Sequence, residues 1–72
     1  MTTKKLLGII DNTIAWASDV SDIWTGTLFE KLIDLQQAQL IKAVEEEDFQ
    51  RAYTLMCDLG QTLDNAVQAY EQ

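Results

Sequence analysis

Seventy-two residues allow one domain, 1–72, which buries only about 60% of the surface of its unfolded chain. Its core must therefore be efficient or shared with a second chain. Twelve acids against five bases leave a net charge of −7, which disfavours direct nucleic-acid binding and favours a partner with a basic surface.

The stretch Leu6–Trp24 dominates the chain. At 100° per residue, Leu6, Ile10, Ile14, Ala17 and Trp24 form one apolar stripe, and Ile9, Trp16, Val20 and Ile23 form a second beside it. Lys4, Gly8, Asp11, Ser18, Asp19 and Asp22 share the narrow remaining face. A helix apolar over so wide an arc must bury two sides. Thr2 or Thr3 can cap it, and the unbroken apolar phase carries it through Ser18–Asp22, giving a helix over about 4–24.

Gly26 is suited to the left-handed position after that helix. Thr27-Leu28-Phe29-Glu30 then reads as a capping box that opens a second helix, 28–46. Its apolar face is Leu28, Phe29, Leu32, Ile33, Leu35, Leu40, Ala43 and Val44, interrupted by Gln36 and Gln39, while Ile41 projects toward the polar side. Glu45–Asp48 ends this helix, because clustered acids oppose its negative C-terminus, and Asp48 caps the next. The third helix, 49–70, carries Phe49, Ala52, Tyr53, Met56, Leu59, Leu63, Ala66, Val67 and Tyr70 on one stripe. Gly60 lies inside that stripe and predicts a close helix crossing. The fold class is all-α: a small antiparallel three-helix, up-down-up bundle, completed by dimerisation. The rival is a single helix from Lys4 to Glu46, ~60 Å long, hairpinned onto the third.

The chemistry-bearing residues point away from catalysis. Without histidine there is no Ser-His or Cys-His nucleophile, no Glu-x-x-His metal motif and no typical zinc site. Every acid falls on a predicted polar face or in a turn, and Glu45–Asp48 lacks the spaced oxygens and glycine of a calcium loop. No glycine-rich phosphate loop is present. The expectation is a non-enzyme with no catalytic residue, no cofactor and no metal. Cys57 is alone and reads as a partly buried small hydrophobe. No apolar run approaches the ~20 residues that cross a bilayer. Lys4-Lys5 before Leu6–Ile10 resembles the start of a signal peptide, but Asp11 and Asn12 interrupt it, so the expected location is cytoplasmic, without a membrane partner.

Two short stretches have family likenesses. Thr27-Leu28-Phe29-Glu30-Lys31-Leu32-Ile33-Asp34-Leu35 is similar to a first-helix stretch of the Rop family, dimeric four-helix bundles that bind RNA. That family binds RNA through basic residues on its first helix pair. Asp19 and Asp22 stand upstream here instead, so RNA binding is not carried over. Ala43–Tyr53 is similar to the turn of a tetratricopeptide-type hairpin, but it occurs once, with no 34-residue period. Neither likeness assigns the chain to a family.

A single bundle core cannot cover both stripes of the first helix. Ile9, Trp16, Val20 and Ile23, with Ile41 of the second helix, are therefore the candidate interface. The expected function is a protein–protein interaction module or small regulator. It forms a homodimer and binds a protein partner through an apolar patch rimmed by acids. The alternative is an acidic inhibitor of phage or plasmid type that mimics nucleic acid and blocks a basic groove.

Overall fold

In the computed structural model, which describes residues 2–71, three helices follow one another: α1 (Thr3–Ile23), α2 (Leu28–Glu45) and α3 (Phe49–Glu71). No strand occurs among the described residues. Each helix boundary lies within a residue of its predicted place. Thr2 caps α1, its hydroxyl accepting from the Lys5 amide at 3.2 Å. The helix stays intact through Ser18–Asp22, where the apolar phase outweighs the poor helix propensity of Ser and Asp.

The first turn is built from side-chain hydrogen bonds. Trp24 is the C-cap of α1. The Thr27 hydroxyl donates to the Trp24 carbonyl at 2.6 Å and accepts from the Glu30 amide at 3.4 Å. The Glu30 carboxylate reaches back to the Gly26 amide at 3.2 Å rather than to that of Thr27, so the capping box closes one residue further upstream. Gly26 has φ +84°, a left-handed conformation that glycine adopts without steric cost. It stands one residue beyond the usual C′ position, because α1 ends at Ile23.

The second turn is a Schellman motif. The Asp48 amide bonds the Ala43 carbonyl and the Glu47 amide bonds the Val44 carbonyl, each at 3.0 Å. This geometry puts Glu47 at φ 59°, where glycine is the usual occupant. Asp48 then caps α3, its carboxylate accepting from the Arg51 amide at 3.3 Å.

The three helices pack on one another in every pairing. The longest dimension of the molecule is 37 Å, about one helix length, which excludes the ~60 Å continuous rod. The core contains Leu6, Ile10, Ala17 and Val20 of α1, Ile33, Leu40 and Ala43 of α2, and Ala52, Leu59, Leu63 and Ala66 of α3. Trp24 closes one end of it. Its indole nitrogen donates to the Ala66 carbonyl at 3.2 Å, its ring centre lies 4.9 Å from that of Phe29, and Tyr70 meets it edge-on.

Four expectations need correction. On α2, only the Phe29–Ile33–Leu40–Val44 side turns inward, and Leu28, Leu32 and Leu35 are exposed, Leu28 at 81%. The crevice between α1 and α3 admits less than the full apolar arc. Gln36 therefore lies on the inward line, and its Oε1 is buried without a protein partner. Gly60 marks no close crossing, since a Cβ there would meet nothing within 4 Å. Cys57 is exposed rather than partly buried. Tyr53 and Tyr70, assigned to the core stripe of α3, are also exposed.

Candidate interaction surface

The α1 residues left outside the core are not scattered. Ile9, Trp16 and Ile23 are spaced seven residues apart, so they line one flank of the helix, and each is exposed, Trp16 at 38%. Lys5, Asn12 and Asp19, also exposed, fall between them at three- and four-residue steps. The flank is thus one continuous seam, Lys5–Ile9–Asn12–Trp16–Asp19–Ile23, about five turns long.

Val20 does not belong to this surface. It is 2% exposed and packs in the chain's own core. On the wheel it stands about 40° from both Trp16 and Trp24, at the edge between seam and core, and its burial shows that the chain's own helices cover that edge. Ile41 lies apart from the seam. It is exposed on the outer side of α2, and there it borders a shallow groove of about 190 Å³ with Leu7, Ile14 and Val44. Asp11 and Glu45, both exposed, complete the groove wall. Because Asp11 lies on the side of α1 away from the seam, Ile41 is on a different face from Trp16.

A third apolar row escaped the sequence reading. Leu28, Leu32 and Leu35, at i, i+4 and i+7 of α2, form an exposed ridge, and Leu28 and Leu32 flank a hollow with Phe29. Its signal was present in the sequence, as half of an apolar arc too wide for a single crevice. A larger hollow, about 310 Å³, lies where α2 turns into α3. Lys42, Arg51, Glu46 and Asp48 all line it, so its charges are mixed and select neither anion nor cation.

No charged or polar residue is buried among those described. No group of three acids or thiols among the described residues is placed to hold a metal ion. Among the described residues, no helix is long and apolar enough to cross a membrane. What the surface offers is apolar contact area bordered by negative charge. Compared with known proteins, the chain matches no family model, no curated protein and no solved structure.

Proposed function

We propose that this chain is a non-enzymatic protein-interaction module that self-associates and docks a protein partner through apolar surface rimmed by acids. Its three helices run up, down and up. That arrangement is supported by Trp24, at the end of α1, reaching Ala66 and Tyr70 near the end of α3. The observation that carries the functional reading is the α1 seam. Two isoleucines and a tryptophan, each partly in water, are aligned on one helix flank with Asn12 and Asp19 between them, and tryptophan is enriched where binding energy concentrates. Lys5 and Asp19 both lie within the row, so a partner that matches it carries a charge of each sign.

One observation favours a second reading. None of the described acids is buried, so the charge of −7 is displayed to solvent. Such a surface suits an inhibitor that occupies a basic nucleic-acid groove. Salt separates the two. Tagged protein is purified from its source cell and the captured proteins are identified by mass spectrometry, with Trp16→Glu as the control. Apolar docking predicts a partner retained in high salt and lost with Trp16→Glu. Mimicry predicts a partner released as salt rises and indifferent to Trp16→Glu. Capture of neither kind, with a monomeric chain, contradicts both.

A further inference from the structure

We infer that a second copy of this chain covers the Lys5–Asp19 part of the α1 seam, its α1 running antiparallel across a two-fold axis close to Asn12. The inference rests on the self-association proposed above and adds the surface, the direction and the register.

The seam consists of two interleaved heptad series. Ile9, Trp16 and Ile23 form the apolar one, and Lys5, Asn12 and Asp19 the polar one, all six exposed. The polar series is antisymmetric about its centre: a cation seven residues before Asn12, an anion seven residues after it. That order discriminates between partners. Parallel pairing in register sets Lys5 against Lys5 and Asp19 against Asp19, which repel. Antiparallel pairing about Asn12 sets Lys5 of each copy against Asp19 of the other, so one complementary contact is made twice. At the axis the two Asn12 amides meet, and a primary amide can both donate to and accept from its own image. A polar residue of this kind within an apolar seam fixes register. A uniformly basic partner would match Asp19 but oppose Lys5, with Lys4 close by.

Gly8 supplies a second observation. It lies in the interior of α1, where glycine weakens a helix, and nothing in this chain comes within 4 Å of where its Cβ would be. Gly60 is equally open, so the open space by itself marks no contact, and it is the register that brings a neighbour to Gly8. In the antiparallel register, residue 8 of one copy stands level with residue 16 of the other. The Trp16 indole then lies over the Gly8–Asn12 turn, and the bare backbone at Gly8 admits a bulky ring.

Charge reversal and cross-linking test this in the full chain carrying Cys57→Ser, which removes the native thiol. Lys5→Glu alone and Asp19→Lys alone should each weaken dimerisation about tenfold, and the two together should restore it to within about twofold. Both substitutions place charge where the helix dipole favours it, so folding is not at risk. Asn12→Cys, treated with diamide, should form a disulfide-linked dimer. Ile23→Cys should not, because the two copies of that residue lie about 33 Å apart along the pair. Linking at both positions would overturn the antiparallel arrangement. A dimer that ignores the charge reversals and links at neither position would overturn the α1 seam but leave self-association standing. A chain that stays monomeric would overturn both.

Discussion

Gly60→Ala should stabilise this protein, against the usual expectation for a glycine on the inward stripe of a helix. The reason is geometric. A Cβ at residue 60 meets nothing within 4 Å, so it neither clashes nor gains packing. What remains is the helix-propensity difference and the smaller entropy of the unfolded chain, together about 0.8–1.0 kcal/mol in favour of alanine. A chain of 72 residues has a total stability of about 4–11 kcal/mol, so the gain is measurable. The thermal midpoint should rise by about 4–8 °C. In urea followed by circular dichroism, the midpoint should move up with the slope unchanged, and equally at low and high protein concentration. A loss of stability would refute the reasoning, since it would mean that another helix does approach Gly60. Gly8→Ala is the companion: the same gain in the monomer, but weaker dimerisation, because the methyl group would stand under Trp16 of the second copy.

Other substitutions test other parts of the fold. Gln36→Leu should raise stability by about 1 kcal/mol in chemical denaturation, because it removes a buried oxygen with no protein partner; an unchanged or lower value would show that the amide is satisfied. Asp48→Ala should cost on the order of 1 kcal/mol through loss of the α3 cap, while Glu46→Ala should cost less or stabilise by relieving repulsion. Equal effects would place the cap elsewhere. Trp24→Ala should cost about 3–5 kcal/mol and leave the chain marginal or unfolded in thermal melts, whereas Trp24→Phe should retain the fold. The Cys57 thiol should react with Ellman's reagent in the native protein as fast as in urea, since it is exposed; slow native reaction would place it under a partner.

The helices were legible because their ends are marked by local chemistry. Thr2, the Thr27–Glu30 box, Gly26 and Asp48 all act within four residues of themselves, and each is found at a helix end. The inward face of α3 was mostly legible, because Ala52, Leu59, Leu63 and Ala66 leave one narrow stripe. The face of α2 was not. Its apolar residues span an arc wider than one crevice, and only the position of the other two helices decides that Ile33 and Leu40 turn in while Leu28 and Leu35 turn out. The same tertiary choice buries Val20 and places Ile41 beside α1. Gly60 misled for a related reason: a glycine in a stripe signals close approach only if a neighbour stands opposite, and none does.

The central claim is that the Ile9–Trp16–Ile23 row is a contact surface and not idle exposure. The most direct measurement is the solution mass by light scattering across the micromolar range, for the native chain and for Trp16→Glu. The native chain should approach twice its 8.2 kDa mass as concentration rises. Trp16→Glu, which puts a charge on a residue already in contact with water, should remain folded by circular dichroism and hold at 8.2 kDa throughout. A native chain that stays at 8.2 kDa at the highest concentration, or a Trp16→Glu variant that dimerises as well as the native protein, would contradict it.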